Sequence, residues 1–147
     1  MYDRIVLTTD GSDESNVATD HAIDLARAYE APLHVLHVVD TRPYDAEGIT
    51  QSMIESLEER GQRAVGEIAE TASTRGVDRV ETAVVRGEPH DAILEYVDEH
   101  DIDLIVMATH GRTGFKRYLL GSVAEKTIRT APVPVHIVRA SAADAGH

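Results

Sequence analysis

The amino-acid sequence predicts an α/β protein built on an open, doubly wound, parallel five-stranded sheet in the order 3-2-1-4-5, with helices on both faces. Three observations predict this class. Short apolar runs alternate with longer amphipathic segments along the 147 residues. The apolar runs are continuous in Val, Ile and Leu, which is typical of strands covered on both sides. No linker or low-complexity block interrupts the pattern, so residues 1–140 are expected to form one domain, followed by a disordered tail at 141–147.

The first strand and helix are predicted within residues 4–30. The β-branched run RIVLTT at residues 4–9 predicts a buried strand, and the Asp10-Gly11-Ser12 sequence that follows predicts a turn. Ser12 or Asp13 can cap the next helix, which apolar residues at helical spacing extend over residues 15–30. Pro32 cannot continue a helix and therefore ends it.

The middle of the chain follows the same scheme. Strands are predicted at residues 33–39 and 80–85, because both segments are short, apolar and bounded by turn residues. Between them, an apolar stripe and a glutamate-rich side predict a helix over residues 49–74, with Gly76 as its stop. Pro89 favours the first turn of a short third helix.

The last third of the chain predicts a strand, a glycine-bearing loop, a helix and a strand. The run Leu104–Ala108 predicts the fourth strand, Gly121-Ser122 opens the fourth helix, and residues 133–138 predict the fifth strand. The loop between them contains Gly111 and Gly114. Such a loop before a helix N-terminus can hold an anion, because backbone N–H groups and the helix dipole both favour negative charge. In a sheet of this order the loop lies beside the end of the first strand.

The composition excludes several classes of protein. The chain has no Cys, so disulfides, thiolate nucleophiles and Cys-based metal sites are absent. No apolar run approaches the roughly 20 residues of a membrane span, and the N-terminus does not resemble a signal peptide, so a cytoplasmic protein is expected. A net charge of −12 disfavours nucleic-acid binding, which needs clustered basic residues.

The balance of charged residues is unusual in a second respect. Only Lys116 and Lys126 are lysines, against 12 arginines and 26 acidic residues. Abundant carboxylates with few lysines predict a protein kept soluble in high salt, as in halophilic archaea, because screening weakens its self-repulsion. The alternative is an ordinary acidic protein, whose stability would not depend on salt.

The segment MATHGRTGFKRYLLGSVAEKTIRTAPVPVHIV, from Met107 to Val138, carries a specific pattern. It resembles the nucleotide-binding signature of the universal stress protein family, which is G-x-x-G, nine residues, then G-[ST]. The likeness extends to RIVLTTDGSDES, LHVLHVVD and VVRGEPHDAI, so it covers nearly the whole chain. One position departs from the signature, because Ala108 replaces its first glycine. An added methyl is tolerated if that position has ordinary strand geometry, but it lowers affinity if it points at the ligand.

The resemblance implies an ATP site at the C-terminal ends of the first and fourth strands. The glycine loop would wrap the phosphates, and Gly121, Ser122 and Val123 would offer backbone N–H groups and a hydroxyl. Asp10 would contact the ribose or adenine side, and backbone at Val38 would recognise the adenine edge. The full set of residues expected at the site is Thr8, Asp10, Val38, Met107, Ala108, His110, Gly111, Arg112, Gly114, Gly121, Ser122 and Val123.

Several residues have simpler explanations than a ligand contact. Asp10 suits an Asp-Gly-Ser turn without any ligand. Arg112 belongs to the only dense basic cluster of the sequence, and either contacts phosphate or lies in a solvated loop. His34 and His37 are expected to share one sheet face as half-buried structural residues rather than metal ligands. Gly61 and Gly66 are expected to weaken the second helix locally.

The resemblance also implies a cofactor and a partner. ATP, accompanied by Mg²⁺ or Mn²⁺, is the expected ligand, and no dedicated metal cage can be assigned. Family members dimerise through the last strand, which implies a homodimer through the segment from Val133 to Val138. Pro134 fits this expectation, because proline is tolerated on edge strands. Neither a nucleic acid nor a membrane is expected as a partner, and any further protein partner is left open.

Three classes of function follow from the same residues. The resemblance to the ATP-binding branch of the family implies a stress-response or regulatory nucleotide switch with slow or no hydrolysis. No catalytic base or arginine finger is evident, so an enzyme is not expected. The alternative is a dimeric interaction module of the same family that does not bind nucleotides, which only Ala108 favours. An enzyme of the adenine-nucleotide α-hydrolase type is disfavoured, because TTDGSDES lacks an SGGxDS-like pyrophosphate loop.

Overall fold

The computed structural model describes residues 1–11, 13–40, 50–109 and 121–139, in which strands and helices alternate. The strands are β1 (Ile5–Thr9), β2 (Leu33–Val39), β3 (Val80–Arg86), β4 (Leu104–Ala108) and β5 (Val135–Val138). The helices are α1 (Asp13–Tyr29), α2 (Gln51–Thr74), α3 (Pro89–Glu99) and α4 (Ser122–Thr130). The tail at 141–147 lies outside the described residues, so its disorder stays a prediction.

The strands form one parallel sheet in the order β3-β2-β1-β4-β5, which confirms the predicted fold class. β1 and β4 are neighbours in space, with Ile5 opposite Leu104 and Leu7 opposite Val106. The strand order reverses between these two strands. Ligands of open α/β sheets bind beyond the carboxyl ends of the strands at such a switch point. A ligand site is therefore expected at the carboxyl ends of β1 and β4.

Two apolar layers cover the sheet, one on each face. On one face, α1 and α2 pack against strand residues such as Leu7, Val35 and Val106. On the other, α3 and α4 pack against the residues that alternate with them, such as Val6 and Ile105. Burying one such side chain contributes about 1.5–3 kcal/mol. Within the described ranges, no helix is both long and apolar enough to cross a bilayer.

Several element ends differ from the predicted ones by one or two residues, for local reasons. α2 begins at Gln51 because the Thr50 side chain accepts a hydrogen bond from the Met53 N–H at 3.2 Å. β5 begins at Val135 rather than two residues earlier. Pro134 lacks an N–H group, although its carbonyl oxygen still accepts from the Ile105 N–H at 3.0 Å. The sequence pattern located the elements, and the hydrogen-bond donors and acceptors decided their ends.

His34 and His37 lie on opposite faces of the sheet, so the prediction that they share one face was wrong. They are three positions apart, and side chains alternate along a strand with a period of two. His34 faces α3, where its Nδ1 lies 2.7 Å from the Tyr96 hydroxyl. His37 faces α2, where its ring lies against Gly61. Each histidine therefore has its own structural role.

His34 is the most buried histidine of the described residues, with 3% exposure. Its Nε2 faces the Glu81 carboxylate at 3.6 Å, so that Nδ1 accepts the hydrogen bond from the Tyr96 hydroxyl. Burial raises the pKa of Tyr96 to about 12, which keeps that hydroxyl protonated. Burial also lowers the pKa of His34 below its ordinary value of 6.5, despite the opposing effect of Glu81.

The unfolding free energy is expected to decrease as the pH falls below about 6.5. The unfolded chain then binds a proton at His34 that the folded chain resists, and stability rises with pH wherever the unfolded state holds more protons. The contribution of neutral His34 to the unfolding free energy is complete above pH 6.5. It is lost as the pH falls towards the lower pKa that His34 has in the folded chain. Urea unfolding of wild type and His34→Gln between pH 7 and pH 5 checks this, because the variant should show a shallower pH dependence.

His136 provides the comparison for that experiment. Burial, and then the neighbouring His21, lower the pKa of His136, so it contributes to the pH dependence with the same sign. His136→Gln should remove the part of the pH dependence that comes from His136 and leave the part that comes from His34. An unchanged pH dependence in His34→Gln would contradict the assignment.

Candidate functional site

Three predicted site residues share one face of the sheet near the ends of β1, β2 and β4. Thr8 and Val38 are half-buried, and Met107 is 5% exposed. Thr8 is paired in register with Leu36, two residues before Val38. Strand alternation therefore places these side chains on the face covered by α3 and α4. They provide mainly apolar surface beside the switch point, of the kind that packs against a nucleoside.

Asp10 lies at the turn between β1 and α1, and its neighbours hold the backbone of this turn. The Gly11 N–H donates to Thr9 Oγ1 at 3.0 Å, and Gly11 has a φ of +83°, which favours glycine. From β2, His37 Nδ1 lies 2.9 Å from the Thr9 carbonyl oxygen. Because a carbonyl oxygen only accepts, His37 Nδ1 carries the proton. The turn that carries half-buried Asp10 is therefore held on both sides.

Gly61 of α2 completes the support of this turn. A Cβ built on Gly61 would lie 2.5 Å from His37 Cδ2, so the ring occupies the space of the missing side chain. One helical turn further along, the Ala64 methyl packs close to Gly11, 3.7 Å from where a Cβ would stand. Gly61 was predicted only to weaken the helix. Its buried position shows that it also lets α2 approach the His37 ring.

Ala108, which replaces the first glycine of the signature, has its side chain in the core. It is 7% exposed and belongs to the apolar layer under α1 and α2. Among the described non-glycine residues, only Glu30 and Asp101 have a positive φ, so Ala108 has ordinary strand geometry. Strand alternation puts its methyl on the face opposite to Met107. Ala108 therefore has the ordinary strand geometry in which a methyl group in place of the signature glycine is tolerated.

The ends of the glycine loop are joined by backbone hydrogen bonds. The Gly121 N–H donates to the Thr109 carbonyl oxygen at 2.7 Å, and the Thr109 N–H donates to the Val138 carbonyl oxygen at 2.8 Å. Thr109 thus connects β5 to the start of α4. Four predicted site residues lie in the intervening segment, outside the described residues: His110, Gly111, Arg112 and Gly114.

The first turn of α4 begins directly at this junction. Gly121 is the N-cap residue, with φ −67° and ψ 159° and no side-chain hydrogen bond to the cap. Its own N–H is bonded to Thr109, so Gly121 offers no N–H to a phosphate in this arrangement. The N–H groups of Ser122 and Val123 precede the first intrahelical bond, from the Glu125 N–H to the Gly121 carbonyl oxygen. Ser122 is exposed, and the helix dipole favours an anion there.

Four residues of this region were not predicted from the sequence as site residues. His37, Gly61, Thr9 and Thr109 hold the β1 turn and the start of α4. A glycine in the middle of an otherwise good helix was the only local signal, and it pointed to Gly61. His37 and Thr109 act through contacts with other elements, which no local pattern encodes. Thr9 accepts both from His37 and from the nearby Gly11 N–H.

This arrangement of strands, turn and helix can be compared with known proteins. A model of the universal stress protein family matches residues 1–139. The chain belongs to the universal stress protein family. Universal stress protein MJ0531 of Methanocaldococcus jannaschii is 41% identical over 142 residues, which cover 95% of this chain and 83% of that protein.

Solved structures of similar chains share the fold. Hypothetical protein MJ0577 superposes with a TM-score of 0.85 and 30% identity, over 94% of this chain and 96% of that one. A universal stress protein crystallised in complex with cAMP superposes with a TM-score of 0.70 and 31% identity, over 95% of this chain and 98% of that one. The family and its architecture are therefore shared along nearly the entire sequence.

Proposed function

We propose that this universal stress protein binds ATP at the ends of β1 and β4 and acts as a nucleotide-dependent regulator of the stress response. One observation carries the proposal. The first turn of α4 has no side-chain cap and is hydrogen-bonded through Thr109 to the end of β4, beside the β1 turn. Ser122 and Val123 N–H groups and the helix dipole would bind phosphate oxygens at this point.

The nucleoside would lie on the neighbouring strand ends. Asp10 would accept hydrogen bonds from the ribose or adenine, and Thr8, Val38 and Met107 would contact the base and sugar. Their positions on one sheet face support this assignment. The complex of a 31% identical universal stress protein with cAMP supports an adenine nucleotide as the ligand class.

A divalent metal ion would enter with the nucleotide. The backbone N–H groups at the start of α4 are donors, which bind an anion rather than a cation. Mg²⁺ keeps several waters and is usually held by phosphate oxygens with one or two carboxylates. Mg²⁺ or Mn²⁺ would therefore be carried mainly by the phosphates.

Regulation, rather than turnover, is the expected activity. Universal stress proteins act in the stress response and are generally not enzymes. Slow or no hydrolysis would leave the bound nucleotide as a signal that a partner reads. A homodimer through β5 would provide one such partner surface, because β5 lies at the end of the described sheet.

Titration with ATP and Mg²⁺ tests the proposal. Isothermal calorimetry should show one nucleotide per chain, with tighter binding of ATP than of GTP. The titration is made both at low salt and in molar KCl, because the acidic, lysine-poor composition predicts adaptation to high salt. Absence of ATP binding under both conditions would overturn the proposal and favour the nucleotide-free interaction module.

A further inference from the structure

Two histidines from distant parts of the chain meet on the face of the sheet covered by α1. His21 lies on α1 and His136 lies on β5, where it is paired in register with Val106. His136 Nε2 lies 3.4 Å from His21 Nδ1, and the ring centroids are 5.5 Å apart with a tilt of 44°. One ring nitrogen of each histidine therefore faces the other.

This separation is long for a hydrogen bond and suits a shared metal ion. Hydrogen bonds from N–H groups cluster near about 3 Å. Two imidazole nitrogens bound to one zinc at 2.0–2.1 Å with tetrahedral angles lie about 3.4 Å apart. The observed distance of 3.4 Å between His136 Nε2 and His21 Nδ1 matches the separation expected for two nitrogens bound to one zinc ion.

The backbone around both histidines is held by the core. His21 adjoins buried Ala22 on α1, and His136 lies in the strand that ends at buried Val138. The backbone positions of both histidines are thus fixed before any ion binds, which reduces the cost of binding. In the single chain His21 is exposed, so an ion can reach the pair from solvent there, and the net charge of −12 favours cations near the surface.

The geometry points to a metal site in which His21 and His136 together bind one divalent transition-metal ion, with Zn²⁺ as the best match. Imidazole nitrogen suits Zn²⁺, Cu²⁺ and Ni²⁺, whereas Mg²⁺ and Ca²⁺ prefer oxygen ligands. Water would fill the remaining coordination positions. The site is separate from the proposed nucleotide site and does not depend on it.

A second group of metal-ligand residues lies at the start of α3 and provides the control. Ligand atoms of Glu88, His90 and Asp91 lie within 4.8 Å of one another. These groups already bind each other: His90 Nδ1 is 3.2 Å from Asp91 Oδ1, and Glu88 Oε2 accepts from the Asp91 N–H at 2.8 Å. The positive end of the α3 dipole also opposes a cation there. His90→Gln therefore removes a histidine without touching the proposed site.

Zinc titration of the EDTA-treated chain, free of any affinity tag and of nucleotide, tests the inference. Calorimetry should show one Zn²⁺ per chain, and Co²⁺ should give the visible spectrum of a nitrogen-liganded ion. His21→Gln and His136→Gln should each weaken zinc binding by at least the roughly 10- to 100-fold that loss of an outer-shell partner causes. His90→Gln should match wild type.

Circular dichroism verifies that each variant is folded. His21 is exposed, so His21→Gln tests the site even if replacing half-buried His136 disturbs β5. Absence of zinc binding by the wild type would overturn the inference. So would wild-type affinity in both His21→Gln and His136→Gln, or loss of binding in His90→Gln.

Discussion

Gly121→Asp is expected to lower the affinity for ATP about 100-fold or more and to leave the fold intact. Gly121 has φ −67° and ψ 159°, a conformation that any residue adopts. Asp is also a preferred N-cap residue, so the unfolding free energy should change by only a few tenths of a kcal/mol. Its carboxylate would stand where α4 receives the phosphates. Like charges about 4 Å apart repel by about 4 kcal/mol at an effective dielectric constant of 20.

Gly121→Asn is the matched control for this variant. Asn has nearly the same size and caps helices as well as Asp does, but it carries no charge. Its affinity for ATP should stay within about tenfold of wild type. Calorimetric titration of the two variants side by side separates charge from bulk. Equal, large losses in both would assign the effect to bulk, and unchanged binding in both would mean that the phosphates bind elsewhere.

Gly61→Ala is expected to reduce the unfolding free energy by about 1–3 kcal/mol, although alanine is the better helix former. The new methyl would lie 2.5 Å from His37 Cδ2 and would displace a ring whose Nδ1 donates to the Thr9 carbonyl oxygen. Loss of that hydrogen bond adds about 1 kcal/mol, and the gain in helix propensity offsets a similar amount. Urea unfolding followed by circular dichroism measures the change.

Gly66→Ala, in the same helix, should have the opposite sign. Gly66 is exposed, and no atom lies within 4 Å of the position that a Cβ would take. The substitution should therefore stabilise the protein by about 1 kcal/mol, the propensity difference alone. If Gly61→Ala is as stabilising as Gly66→Ala, the His37 ring moves aside without cost and does not hold the β1 turn.

Much of the architecture was predictable because it depends on local patterns. Continuous apolar runs such as Leu104–Ala108 indicate strands covered on both faces, and helical spacing of apolar residues indicates the helices between them. The predicted strand order, which the structure confirms, places the end of β1 beside the end of β4. The glycine signature and the family resemblance depended on spacing along the chain, and the match over residues 1–139 confirms the family.

The details of the candidate site were not predictable in the same way. The three-residue spacing of His34 and His37 already places them on opposite faces, but their partners, Tyr96 and the Thr9 carbonyl, come from other elements. The sequence indicated only that Gly61 weakens its helix. The His37 ring that fills the space beside Gly61 belongs to another element, β2, so no local pattern shows the contact. Residues that meet across such distances leave no periodic signal.

The sequence by itself determined the alternation of strands and helices and the family, because both depend on patterns and spacing along one chain. Only the tertiary structure decided which way the Ala108 methyl points, and that the Gly121 N–H is bonded to Thr109. Only the tertiary structure places His21 Nδ1 3.4 Å from Nε2 of His136, which lies 115 positions further along the chain. The physical reason is that burial, hydrogen bonding and ligand geometry depend on contacts between elements, which form only when the sheet is assembled.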